Sequence, residues 1–188
     1  LRLSQNEKQK DAKSFSFTHY DALGRIVLVG ELVTPTLFNY NPNLSITTAN
    51  TTTNASNQRR RDTINNLVNQ PNFPISLLND ASYSLINLVQ TEYDEPSLLP
   101  GINQTNLHNR VSATYAYDDY NKLLEMDGIA TIYSYDEVGN VKTMVQDLSN
   151  NTYLKNMPQN ASAEHLKKQV DYDYDLVSGK VNAVVFNN

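Results

Sequence analysis

A tight turn, spelled the same way several times, constrains this chain more than any other feature. In Tyr133-Ser134-Tyr135-Asp136-Glu137-Val138-Gly139-Asn140-Val141, two rings alternate with polar residues as they would on one face of a pleated strand. Asp136 can accept hydrogen bonds from backbone N–H groups two residues on and so open a type I turn. Gly139 supplies the positive φ that closes it into a bulged hairpin, and Val141 restarts the strand.

The same pattern recurs. Tyr20-Asp21-Ala22-Leu23-Gly24-Arg25-Ile26 has it with identical spacing, and Tyr117-Asp118-Asp119-Tyr120-Asn121-Lys122-Leu123 has Asn121 in the glycine place. Asparagine is the next most tolerant residue at positive φ. Tyr172, Tyr174, Asp175 and Gly179 spell the pattern with one extra turn residue, and Tyr93-Asp94 is a degraded copy whose glycine arrives only at Gly101. A unit of this kind cannot bury its own face and must stack on neighbours, which predicts a repeat architecture.

At these residues the chain resembles the YD repeat of the RHS (rearrangement hot spot) proteins, found in large secreted proteins of Bacteroidota-type bacteria. The likeness covers Phe15 to Phe38, Leu85 to Leu148 and Gln169 to Phe186. It implies an all-β fold with minor helical insertions: an antiparallel β-hairpin YD-repeat array, part of a larger RHS-type β-shell. It further implies a non-enzymatic structural role, enclosing or displaying a C-terminal toxin or effector cargo of a secreted or surface bacterial protein. The partners would be the remaining RHS repeats or partner subunits, and the enclosed cargo. The export signal would lie outside this sequence, and the chain, beginning at Leu1, reads as an excerpt or processed piece of something longer. The family's self-cleaving core, with its Asp-Pro and Gly-rich signature, has no match here, so the segment is expected to be wall.

Composition agrees with a polar, turn-rich sheet. The chain has 188 residues, 39% of them hydrophobic, with twelve tyrosines and no tryptophan, and a mean hydropathy of -0.52. That suffices for a core without reaching the range of disordered chains. The formal charge of -5 argues against a nucleic-acid partner, which needs a basic face. With no cysteine, disulfides and thiolate metal sites are excluded, although the compartment is not thereby decided. No run of about 18 apolar residues predicts a membrane-spanning helix.

The pattern divides the chain as follows. Residues 1–13 form a polar lead-in, frayed or held by a missing neighbour, and 14–33 the first YD hairpin. Residues 34–82 are an Asn/Thr/Pro-rich insertion with a short helix from Asp62. Residues 83–148 carry YD hairpins, with strands over 110–117, 122–126, 129–135 and 141–146. Residues 149–168 are a polar connection with a short helix from about 161, and 169–188 the last YD hairpin.

Each chemistry-bearing group has two readings. Tyr115, Tyr117, Tyr133, Tyr135, Tyr172 and Tyr174 can line one face as a ladder. That ladder either stacks sugars or peptides or simply packs across strands. Asp171, Asp173 and Asp175 share a strand face and suit Ca²⁺ in charge, but the loop glycine and terminal glutamate of a calcium loop are missing. His19, His108 and His165 have no ligand spacing, and no Gly-x-Ser-x-Gly elbow occurs, so neither catalytic residues nor cofactors are expected. Two rivals to the shell wall remain: a cell-surface module binding glycan or protein through an exposed tyrosine ladder, and a processed subunit of a secretion or surface assembly.

Overall fold

A computed structural model describes residues 2–34, 74, 83–99, 103–157, 166–175 and 178–187. The described residues form a mostly antiparallel sheet of nine strands whose spatial order follows chain order. They are β1 (Arg2–Ser4), β2 (Ser14–Tyr20), β3 (Ile26–Val33), β4 (Ser84–Tyr93), β5 (Val111–Asp119), β6 (Ile129–Tyr135), β7 (Val141–Asp147), β8 (Lys167–Tyr174) and β9 (Val181–Asn187). Three short helices accompany them: α1 (Glu7–Asp11), α2 (Tyr120–Leu124) and α3 (Thr152–Lys155). By contact density the chain divides into two units, one of Leu1–His19 with Gly30–Ile86, the other of Tyr20–Val29 with Asn87–Asn188.

In the first unit the polar lead-in carries a short strand and a short helix. β1 pairs antiparallel with β2, setting Leu3 opposite Phe17. The Asn6 side chain accepts from the Gln9 N–H while the Gln9 side chain accepts from the Asn6 N–H. This reciprocal capping box starts α1 and explains how a polar stretch without apolar period holds a helix. Phe17, Leu32 and Leu85 are buried in this unit.

In the second unit the register fixes which side chains share a face. Ala113 lies opposite Ile132 and Tyr115 opposite Ala130; Ile132 lies opposite Val145 and Tyr133 opposite Met144. Because side chains alternate along a strand, Ala113, Tyr115, Ala130, Ile132 and Val145 share one face, and all five are buried. Burying a side chain such as Ile132 contributes about 1.5–3 kcal/mol. Tyr133, Met144 and Val170, in register on β6, β7 and β8, lie on the opposite face. With Phe186 they border an open depression of about 380 Å³.

The predicted strand over 122–126 is instead α2 and its exit. The Asp119 side chain accepts from the Lys122 N–H and caps the helix, so the chain turns helical where the pattern suggested a hairpin. The positive φ falls at Met126, just past the helix, where a left-handed residue commonly ends one. A second short helix, α3, interrupts the polar connection after β7, with Asn151 as its N-cap. The helix expected from about 161 falls largely outside the described residues, and its predicted end is strand, since β8 begins at Lys167. The insertion over 34–82, with its helix from Asp62, lies outside them too, apart from Thr34 and Pro74.

Candidate functional site

The chemistry of the second unit is concentrated at one end of the sheet, where four turns join β2 to β3, β4 to β5, β6 to β7 and β8 to β9. Each is closed by the same bond. The Asp21 N–H donates to the Arg25 carbonyl, Asp94 to Arg110, Asp136 to Asn140 and Asp175 to Lys180, at 2.9, 3.2, 3.0 and 2.8 Å. The aspartate carboxylate then collects the N–H groups that the turn strands. Asp21 Oδ1 accepts from Leu23 and Arg25, Asp136 Oδ1 from Gly139 and Asn140, and Asp175 Oδ1 from Ser178. Gly24, Gly139 and Gly179 all have positive φ, the conformation that lets the chain re-enter the sheet.

The turn at Asp94 is the same device with residues 95–108 inserted. The residue that returns the chain is Asn109, with φ 59°, whose N–H donates to Asp94 Oδ1 at 2.6 Å. Gly101, expected in that place, lies outside the described residues. Asn109-Arg110-Val111 therefore answers Gly24-Arg25-Ile26. The inserted loop is tied to the strands beside it. Gln104 Nε2 donates to the carbonyls of Ser112 and Tyr133, each at 2.8 Å, and the Tyr135 N–H donates to the Thr105 carbonyl.

Successive hairpins are joined by their tyrosines. The hydroxyl of Tyr93 donates to the Ile26 carbonyl at 2.8 Å, that of Tyr135 to Val111 at 2.8 Å, and that of Tyr174 to Val141 at 3.0 Å. In all three the donor precedes the turn-opening aspartate, and the acceptor is the aliphatic residue that leaves the previous turn. The direction follows from the turn: once the carbonyl of Arg25, Arg110 or Asn140 points inward to close it, the next carbonyl points outward. Two of the joints add a cation over the ring. The Arg25 guanidinium carbon lies 4.3 Å from the Tyr93 ring centre and that of Arg110 5.5 Å from the Tyr135 ring centre. Arg25 also bridges two turns, with contacts of 2.7 Å to both Asp21 and Asp94.

These contacts set the electrostatics. The Arg25 N–H and guanidinium hold the Asp21 carboxyl below its ordinary value against the opposing effect of burial. The Arg25 guanidinium and the Asn109 N–H do the same for Asp94, and the Asn140 amide does so for Asp136. Beyond the turns, Asp127 is held down to about 2 by the Lys122 ammonium and the Thr152 N–H. Burial, reinforced by the Glu92 carboxylate, pushes the Tyr115 hydroxyl up to about 12; that hydroxyl lies 2.8 Å from both Glu92 and Ser97. The carboxylates at the turns serve as acceptors for N–H donors, which accounts for their ionised state without any substrate.

The repeat residues are thus placed unevenly. Tyr20, Asp21, Gly24, Arg25, Tyr135, Asp136, Gly139, Tyr174, Asp175 and Gly179 lie together at the turn end of the sheet. Tyr117 and Asp118 lie within β5, and Asn121 lies in α2 at the far end; Asn121 does not take the positive φ expected of it, because Asp119 caps a helix there. Nor do the tyrosines form one ladder. Tyr115 and Tyr117 stack at 6.3 Å on one face, while register and alternation put Tyr133 and Tyr172 on the other. Asp171 is engaged by Thr143, Gln169 and Asn187, and Asp175 by its own turn. Tyr93 was legible only as part of a degraded copy, and the turn and joint roles of Asn109, Arg110 and the carbonyls of Ile26, Val111 and Val141 were not foreseen from the sequence. A signal for them existed: an aliphatic residue follows every Gly-Arg, Asn-Arg, Gly-Asn or Gly-Lys step. Compared with protein-family models, curated proteins and solved structures, the chain matches none.

Proposed function

We propose that this chain is a non-enzymatic structural segment of a YD-repeat shell of the RHS kind, a stretch of wall that encloses or displays a toxin or effector cargo of a secreted or surface bacterial protein. The observation that carries the reading is the tyrosine joint, repeated from Tyr93 to Ile26, Tyr135 to Val111 and Tyr174 to Val141. A bond that recurs between successive hairpins serves to propagate a sheet, and its hydroxyls and carboxylates are occupied in doing so. The mechanism on this reading is physical: a continuous sheet, stapled at every second strand, isolates what lies behind it.

The test is to isolate the polypeptide containing this chain from its source under non-dissociating conditions and measure its native mass and protease resistance. A particle far above 21.2 kDa, in which an otherwise sensitive segment is protected, is the expected result. A stable monomer of that mass, with no protected segment, would overturn it. One observation favours the binding-module alternative: the open depression bordered by Tyr133, Met144, Val170 and Phe186, with Phe186 77% exposed. A glycan screen on the isolated monomer would test it.

A further inference from the structure

We propose that β9 is a docking edge for an extended strand that ends in Tyr-Asp, with the incoming tyrosine hydroxyl seated on the Val181 carbonyl. This rests on the reading of the chain as a segment of a repeat array, and it names the chemistry of the neighbour.

The edge reproduces the three joints already filled. The Lys180 carbonyl accepts from the Asp175 N–H and so points inward, as those of Arg25, Arg110 and Asn140 do. The Val181 carbonyl therefore points away from β8, in the place that Ile26, Val111 and Val141 hold when they accept a tyrosine. Lys180 stands where Arg25 and Arg110 lie over the incoming ring. Among the described residues β9 is last in the sheet, and its side chains are exposed on both faces: Val181 49%, Val184 43%, Val185 50% and Phe186 77%. The corresponding Val145 on β7, flanked on both sides, is 3% exposed. A strand of valines and phenylalanine with a bare edge is one that folded proteins normally pair or cover.

The register is also specified. At the Tyr135 joint, the residue two after the acceptor, Ala113, lies opposite the residue three before the tyrosine, Ile132. At the Tyr174 joint the same offsets set Thr143 opposite Asp171. Applied to Val181, they put Ala183 opposite the residue three before the incoming tyrosine, and Val185 opposite the residue five before it. The occupant is thus an antiparallel strand with a tyrosine at a fixed position. A second copy of this chain fits less well, because its Tyr-Asp strands already have neighbours on both sides.

The absence of native cysteine makes a direct test available. The full chain carrying Ala183→Cys is mixed, in a thiol–disulfide buffer, with a peptide of the sequence of residues 167–175 carrying Asp171→Cys, three before its tyrosine. The expected result is a mixed disulfide at least about fivefold more abundant than with the same peptide carrying Val170→Cys, whose side chain points to the opposite face. Adding Tyr174→Phe to the peptide is expected to lower the yield about two- to fivefold, the worth of one water-accessible hydrogen bond to a carbonyl. Val185→Cys with Gln169→Cys in the peptide repeats the test should circular dichroism find Ala183→Cys misfolded. Equal yields from the two peptide positions, indifference to Tyr174→Phe, or no adduct above that of a scrambled peptide would each overturn the proposal. Stability of Tyr135→Phe in the chain itself separates the two readings. If that variant is destabilised and no adduct forms, the repeat array stands and the dock falls; if it is unchanged, both fall.

Discussion

Replacing Tyr135 by phenylalanine removes one oxygen and leaves the ring, so it isolates the joint between hairpins. The hydroxyl donates to the Val111 carbonyl at 2.8 Å, while the ring is 9% exposed and lies beneath the Arg110 guanidinium. Ring burial and the cation contact survive the change. What is lost is a neutral hydrogen bond, about 0.5–1.5 kcal/mol net. Val111 is only half-buried, so water can reach the freed carbonyl, and the larger penalty for an orphaned buried acceptor does not apply. The expected loss is therefore about 1 kcal/mol, which in a chain of this size lowers the melting midpoint by about 2–4 °C. Urea unfolding followed by circular dichroism measures it. Tyr133→Phe is the control, since the Tyr133 hydroxyl makes no hydrogen bond among the described residues; it should change stability by less than about 0.5 kcal/mol. Tyr174→Phe and Tyr93→Phe should cost less than Tyr135→Phe, in that order, as the joints become more open to water. Equal effects of Tyr135→Phe and Tyr133→Phe would refute the reasoning, because they would mean that the hydroxyl bond contributes nothing.

Gly139→Val should be severely destabilising, by more than about 2 kcal/mol, because a β-branched residue is a strong outlier at positive φ. Gly139 has φ 109°, and a Cβ there would also stand 2.7 Å from the Arg110 guanidinium. Gly24→Ala, with φ 79° and no heavy atom within 4 Å of the added carbon, should cost only about 1 kcal/mol, and comparison of their urea midpoints checks the difference. Gly128→Ala should cost about 1–3 kcal/mol by overpacking, since its Cβ would meet the Ala116 carbonyl and the Tyr117 ring at 2.5 Å; thermal melting reads this directly. Acid should weaken the fold in a defined window. Asp127, held down to about 2, contributes stability that is fully present above the unfolded carboxyl range near 4 and is lost as pH falls through about 2. Asp21, Asp94 and Asp136 act with the same sign. The melting midpoint should therefore fall between about pH 5 and 2, and less steeply in Asp127→Asn; an equal slope in that variant would sink the assignment.

How far the sequence could be read depended on whether local chemistry decided the outcome. The turns at Asp21, Asp136 and Asp175 were legible because their aspartate, glycine and flanking strands all act within a few residues. Asp118 misled for the same local reason: Asp119 beside it is an equally good acceptor, and by capping α2 at the Lys122 N–H it turned the chain helical without a glycine at positive φ. The single tyrosine ladder failed for a non-local reason. Which face a ring takes depends on register between strands, and Tyr115 and Tyr133 belong to strands whose pairing offset puts them on opposite sides. Asn109 and Arg110 were hidden by distance, because nothing in the spacing says that Asp94 closes its turn across residues 95–108.

That turn bears on what kind of repeat this is. An inserted segment normally costs a hairpin its register, since register is fixed by the loop that joins the strands. Here the closing bond from Asp94 to Arg110, the carboxylate contact with Asn109 and the joint from Tyr135 to Val111 all persist. Loop closure alone cannot hold them, because its cost rises only slowly with length and it specifies no register. The constraint must come from the neighbours: Arg25 of the preceding turn grips Asp94, and Tyr135 of the following hairpin grips Val111. Each hairpin is thus positioned by the ones beside it more than by its own loop. Replacing Arg25 with Met, which keeps the bulk and removes both ion pairs, should then loosen the distant turn at Asp94 and Asn109. Amide exchange at Asn109 should accelerate at least as much as at Leu23 in the residue's own turn. Acceleration confined to Leu23 would mean that the loop holds itself, and the repeat would be a row of independent hairpins.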